Sequence, residues 1–156
     1  MIKVFILGML FASPVIAAGA DTLSLKLTAL DTSVKAGGKI MVRVTTTNES
    51  DHPITFHNIS RDCDYSFRVL TNSKTPAPES EYKKQLRCNR VADQLEITDR
   101  NIIVTLKPGE SSFEDILITD LYDMSVAGTY TLQVDRTFPG VGHFFSNVVT
   151  VNVTLT

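Results

Sequence analysis

The sequence predicts an all-β chain folded as a two-layer antiparallel sandwich of about seven to eight strands. Three observations carry this. Apolar residues recur with period two, no long helical period appears, and turn-forming clusters separate the alternating runs.

In chain order, residues 1–20 read as a secretory signal. Met1-Ile2-Lys3 is a short positive start, 4–11 is apolar apart from Gly8, and Pro14 breaks the run. Ala18-Gly19-Ala20 fits the small-x-small cleavage rule, so Asp21 would begin the mature chain. The apolar run is well short of the roughly 20 residues that span a bilayer, and no other segment is apolar enough to do so. The expected domain is therefore 21–156, exported to a periplasmic or extracellular location. Loss of Lys3 leaves 14 basic against 17 acidic side chains (15 − 1 against 17). A balance this close to neutral gives no reason to expect nucleic acid as a partner.

Leu23, Leu25 and Leu27 alternate with polar residues, as do Ile40, Val42 and Val44 after the Gly37-Gly38 turn. The polar stretch 48–53 is a turn, and Ile54 and Phe56 open a third strand. Tyr65, Phe67 and Val69 form a fourth. Residues 72–100 are irregular, with Pro76-Ala77-Pro78 stiff and 81–87 a short helical turn. Strand order returns at 102–106, followed by the Lys107-Pro108-Gly109-Glu110 turn and a strand over 113–118. A compact connection fills 120–127. Tyr130, Leu132 and Val134 share the core face of the next strand, 138–145 is a Gly/Pro-rich loop, and Val149, Val151, Val153 and Leu155 face inward on the last.

Cys63 and Cys88 are the only cysteines. In an exported chain an even pair reads as a disulfide, which would tether the irregular segment to the sheet. Two free thiols or a metal pair are the alternatives. Export disfavours the first, and three scattered histidines lack zinc-site spacing. Closing a loop of this size contributes roughly 3–4 kcal/mol in the chain-entropy model.

The stretches Leu106-Lys107-Pro108-Gly109-Glu110 and Leu121-Tyr122-Asp123-Met124-Ser125-Val126-Ala127-Gly128-Thr129-Tyr130 resemble bacterial immunoglobulin-like domains. They are similar to small exported Ig-like proteins and to the domain preceding the catalytic part of some deuterolysin-like metallopeptidases. The resemblance covers most of the mature chain and implies an Ig-like sandwich. It also implies a tyrosine corner at Tyr130, with the hydroxyl bonded to backbone in 120–127. The chain departs from the Ig pattern in two ways: neither cysteine sits two residues after Tyr130, and it has no Trp. The motifs are structural and specify no activity.

Searches for chemistry return little. His-Glu-x-x-His and Gly-x-Ser-x-Gly are absent, and Gly37-Gly38 lies between strands, without the helix N-terminus that binds anions. His52, Asp51 and His143 fall on loops at one end of a sandwich and would make a metal site. Two solvated histidines are the favoured reading, so no metal and no cofactor are expected. Asp62 with Asp64, and Glu114 with Asp115, read as ordinary loop and strand-face charges. The acceptor pattern Asn-x-Ser/Thr occurs at Asn48, Asn58 and Asn152.

Two segments stand out. Lys83, Lys84, Arg87 and Arg90 form a basic run suited to an acidic partner, a polyanionic sugar or lipid head groups. The alternative is a solvated loop balanced by Glu79, Glu81 and Asp93. Phe138, His143, Phe144 and Phe145 form a candidate binding loop, unless the phenylalanines pack inward. The leading reading is a non-catalytic interaction module that uses loops at the ends of the sandwich to bind another protein or a cell-surface component. A proteinase inhibitor presenting 138–145 to a protease cleft is second. An enzyme with a metal at His52 and His143 is third.

Overall fold

A computed structural model describes residues 21–86, 88 and 102–155. The expected signal segment, with Arg87, Asn89, Arg90 and Asp93, lies outside the described residues. Among the described residues, ten strands and three short helical turns follow in order: β1 (Leu23–Ala29), β2 (Ser33–Lys35), β3 (Met41–Asn48), β4 (Ile54–Asn58), α1 (Arg61–Asp64), β5 (Ser66–Leu70), α2 (Glu81–Gln85), β6 (Ile102–Leu106), β7 (Ser111–Leu117), α3 (Ile118–Leu121), β8 (Gly128–Phe138), β9 (Gly142–Phe145) and β10 (Val149–Thr154).

The alternation read from the sequence becomes two facing sheets. One layer is β1-β3-β7, antiparallel throughout. The other is β2-β10-β8-β5, with β9 also paired to β8. β8 organises this layer. β5 pairs along one edge (Leu70↔Thr131 to Ser66↔Asp135), while β10 and then β9 share the opposite edge. A third, two-stranded ladder joins β4 to β6. Leu23, Leu25, Leu27, Val42, Val44, Val69, Leu132, Val134 and Val151 point between the layers into one buried cluster. The fold is a β-sandwich.

Local chemistry explains the turns. Lys107-Pro108-Gly109-Glu110 closes with Glu110 N–H on the Lys107 carbonyl at 2.9 Å. Gly109 takes φ +75° there, the conformation that a turn with Pro at its second position asks of its third residue. Gly38 has a different reason: a Cβ at that position would lie 2.5 Å from Val34 Cγ1.

The structure departs from the expected layout in three places. β2 pairs with β10 in parallel, Val34 opposite Val153, so the second layer is mixed at its edge. Segment 138–145 is not an open loop. β8 continues to Phe138, turns over three residues with Val141 N–H bonded to the Phe138 carbonyl at 3.0 Å, and returns as β9. Leu155 does not face inward, because β10 stops at Thr154 and leaves it 79% exposed. Cys63 and Cys88 form the disulfide across 25 residues.

Candidate functional site

β5 begins at Ser66, so β8 outruns it. Strand parity fixes what this leaves open. Val134 and Phe138 bond toward β9, through Ser146 N–H to Val134 O at 2.8 Å and Val141 N–H to Phe138 O at 3.0 Å. Backbone groups alternate along a strand, so those of Asp135 and Thr137 turn the other way. Asp135 meets Ser66, but the residue opposite Thr137 would be Asp64, which belongs to α1. β4 faces this gap from the far side. Its His57 carbonyl is turned away from β6 and accepts from Arg136 Nη2 at 2.8 Å. By the same parity the N–H and C=O of Thr55 also face the gap. The result is a notch of about 460 Å³, lined by Thr55, Phe56 and His57 on one side and Asp135, Arg136 and Thr137 on the other. Cys63, Asp64 and Tyr65 also line it, so the disulfide sits in its wall.

Arg136 forms the floor. It occupies a core position of β8, in step with Leu132, Val134 and Phe138, and is 4% exposed. Its guanidinium donates to Asn58 Oδ1 at 2.9 Å and His57 O at 2.8 Å. It lies 4.4 Å from the Phe138 ring centroid, 4.9 Å from Tyr65 and 5.4 Å from Phe56. Asp64 stands at 3.6 Å and Glu114 at 4.0 Å. Asp64 also caps the preceding turn, accepting from Ile59 N–H at 2.7 Å and Ser60 N–H at 3.2 Å. Glu114 Oε2 is buried without a hydrogen-bond partner. Burial, and then the neighbouring Glu114, push the Tyr65 hydroxyl far above the ordinary tyrosine range.

The candidate binding residues divide. Phe138 is core, 1% exposed, with its ring edge-on to Phe56 at 4.9 Å and to Phe144 at 6.1 Å. Its place in the proposed recognition loop is corrected: the continued alternation of β8 turns it inward. Phe144 is partly buried against the core, and Phe145 is 58% exposed. His143 Nε2 bonds Asp135 Oδ2 at 2.7 Å, and its ring lies 4.7 Å from that of Phe145. Asp135 lines the notch, so His143 and Phe145 stand at its rim.

The basic run is neutralised where it is described. Lys83 pairs with Glu79 at 3.1 Å, donates to the Tyr122 hydroxyl, and lies 4.0 Å over that ring. Lys84 pairs with Glu81 at 2.6 Å, which raises its pKa. Tyr130 is buried, and its hydroxyl donates to Val126 O at 2.8 Å. Tyr122 makes a second such link, to Phe67 O at 2.7 Å.

His52 and His143 keep separate company. His52 bonds Asp51 at 2.7 Å through Nδ1 and Asp21 through Nε2, and these bonds, Asp51's first, raise its pKa. Among the described residues, no group of three or more His, Cys, Asp or Glu side chains is arranged to hold a metal ion. Asn48 is fully buried. Its amide nitrogen is committed to His52 O at 2.8 Å and Leu106 O at 2.9 Å, which closes this acceptor to glycosylation once the chain has folded. Arg43 holds Asp115 through two bonds of 2.7 and 2.8 Å, and its guanidinium shields Phe113 at 4.0 Å. The Arg43 bond holds Asp115 below the usual carboxylate range.

Sequence reasoning missed Arg136 and Tyr122, and read Asp64 and Glu114 as ordinary loop and strand-face charges where the structure buries Asp64 and the Glu114 Oε2 atom. For Arg136 the signal was present, because the alternation Tyr130-Leu132-Val134 continues through it to Phe138. Nothing local marks Asp64 or Glu114 as its neighbours.

The fold and notch define the class, a β-sandwich with an interrupted sheet edge. No family model matches the chain, and no curated protein matches it. It is similar to the crystal structure of the CARDB domain of the PF1109 protein from Pyrococcus furiosus, solved in complex with di-metal ions. The two are 12% identical, with 88% of this chain and 96% of that chain covered and a TM-score of 0.45. A solution NMR structure of the same domain gives 13% identity, coverage of 88% and 98%, and a TM-score of 0.42. The resemblance to Ig-like domains preceding deuterolysin-like catalytic parts rests on the quoted residues alone. Among the described residues no helix is long and apolar enough to cross a membrane.

Proposed function

We propose that this chain is an exported, non-catalytic, Ig-like interaction module that recognises another protein or a cell-surface component at the notched end of its second layer. The observation that carries this is the rim pair His143 and Phe145. Phe145 presents a large exposed aromatic face beside His143, which Asp135 holds at the notch edge. Such surfaces supply contact area at interface centres. Export is supported by the sequence signal and by the disulfide, which suits an oxidising compartment. The tight turn over 139–141 leaves no long loop to enter a protease cleft, so the inhibitor reading has no geometric support.

The test is capture of a cell-envelope or culture-fluid partner by the mature chain. Phe145→Ala and His143→Ala should leave the melting temperature within a few degrees of the parent and reduce capture at least tenfold. Undiminished capture by the double variant would remove the rim from the binding surface.

A further inference from the structure

Three strands meet on the outer face of the second layer and build a small platform beside the notch. We propose that this platform binds a neutral, hexose-rich glycan, one sugar ring lying on the Phe145 and His143 rings while Asp135 accepts its hydroxyls. The inference rests on reading the rim as a binding surface, and adds the chemical class of what it takes.

Strand pairing assembles the platform. Ser66, Asp135 and Phe145 stand in one row across β5, β8 and β9, and Thr137 and His143 share the next row. Directly paired residues share a face, and Arg136 and Phe144 between the rows turn inward. Phe145 and His143 are two residues apart on one strand, with ring centroids 4.7 Å apart and planes tilted by 38°. Phe145 is 58% exposed and the His143 side chain 47%. The tight turn over 139–141 ties β9 to β8, so both rings are carried by paired backbone.

Hydrogen bonding selects the ligand. His143 Nε2 bonds Asp135 Oδ2 at 2.7 Å, which orients the ring and uses one carboxylate oxygen. Among the described residues, Asp135 Oδ1, His143 Nδ1 and the hydroxyls of Ser66 and Thr137 make no hydrogen bond. An exposed aromatic surface is thus ringed by a carboxylate oxygen, a ring nitrogen and two hydroxyls. A hexose matches this set. The C–H groups on one side of its ring carry partial positive charge and meet the negative faces of aromatic rings. Its adjacent hydroxyls donate to the carboxylate oxygen in charge-assisted bonds, which are stronger than neutral ones. An apolar side chain from a protein partner covers the rings but leaves these polar groups desolvated. An acidic sugar sets its own carboxylate against Asp135. Arg68 stands one row away, opposite Gln133, so no Lys or Arg sits on the platform itself.

The test titrates the full mature protein, followed by NMR, with tetrasaccharides of glucose, galactose and mannose, and with tetragalacturonate as the acidic counterpart. At least one neutral member should bind, shift the ring signals of Phe145 and His143, and receive saturation from those rings at its C–H hydrogens. Phe145→Ala and Asp135→Ala should each weaken that member at least tenfold, while Phe145→Tyr and Arg68→Ala keep it. Where Asp135→Ala fails to fold, Asp135→Asn makes the same test, since it keeps the shape and removes the charge. Tighter binding of tetragalacturonate, unchanged affinity in Phe145→Ala, or no binding by any neutral member overturns the proposal. If no saccharide binds while Phe145→Ala still loses the captured partner, the glycan inference falls and the interaction module stands with a protein partner. Saccharide binding that depends on Phe145, with undiminished partner capture by the rim variants, keeps the glycan site and removes the rim from the partner surface.

Discussion

The side-chain amide of Asn147 pairs with both backbone polar groups of Leu27. Asn147 Oδ1 accepts from Leu27 N–H at 2.9 Å, and Nδ2 donates to Leu27 O at 3.0 Å. β1 is the edge of its sheet, and Leu27 lies at its middle. One side chain, placed between β9 and β10, thus imitates a neighbouring strand and ties the two layers together. It also blunts an edge that would otherwise recruit another chain. Asn147→Ala removes both bonds and leaves the Leu27 groups unmatched, so it should cost about 1–3 kcal/mol in urea denaturation. Asn147→Asp keeps the acceptor but sets a carboxylate oxygen against the Leu27 carbonyl, so it should cost at least as much.

Phe138 decides between two meanings of segment 138–145. Its ring is packed against Phe56 and Phe144. Phe138→Ala should cost roughly 3–5 kcal/mol through lost burial and a residual cavity. Phe145→Ala should stay within about 0.5 kcal/mol of the parent, as most exposed substitutions do. Similar losses for both, measured by chemical denaturation, would place Phe145 in the core as well.

Two tyrosine hydroxyls fasten the connection that follows α3 to the second layer, Tyr122 reaching β5 and Tyr130 reaching back from β8. Tyr130→Phe removes the bond to Val126 O, which is part-buried, and should cost on the order of 1 kcal/mol. Tyr122→Phe exposes a heavier debt. It leaves the buried Phe67 carbonyl unmatched and releases Lys83, so about 1–3 kcal/mol is expected. Denaturation midpoints for the two variants should therefore rank Tyr122→Phe as the less stable.

Removing the buried cation should be the most damaging of these changes. Arg136→Ala strands Glu114 in a poorly solvated site and should cost about 3–5 kcal/mol or prevent folding. Arg136→Lys, assayed by thermal melting, should recover only part of this. An ammonium group cannot hold Asn58 and His57 in one plane while stacking on Phe138.

His52 gives stability a pH dependence of defined sign. Its folded pKa lies above the ordinary value, chiefly through Asp51 and then Asp21. The contribution is therefore complete below the unfolded imidazole pKa of about 6.5 and is lost as pH rises through the higher folded value. The melting-temperature difference between the parent and His52→Gln should be largest on the acid side of that window and shrink above it. The His52 imidazole protons, followed by NMR, should titrate later than a free histidine and return toward normal in Asp51→Asn.

Much of the fold could be read from alternation. Leu23, Leu25 and Leu27, then Ile40, Val42 and Val44, then Tyr130, Leu132 and Val134, are all buried where period two places them. The disulfide was legible from pairing alone. The short strands β2 and β9 were not, because their pairing is decided by neighbours distant in sequence rather than by their own pattern. Gly140 and Gly142 suggested an open loop, yet they serve a three-residue turn. The site was the least legible part. Strand parity, the early start of β5 and the meeting of Arg136 with Asp64 are properties of assembled sheets, and no single stretch of residues records them.

Arg136 has one further consequence, for how the sheet finds its alignment. Shifting β8 by one residue against β5 would turn Arg136 to solvent and bring Asp135 down above Asp64 and Glu114. Asp135 would then join Asp64 and Glu114 among aromatic rings, with Arg136 turned away from them. The misaligned pairing is thus rejected by electrostatics as well as by packing, and a central strand flanked by three partners has one favoured register in which to settle.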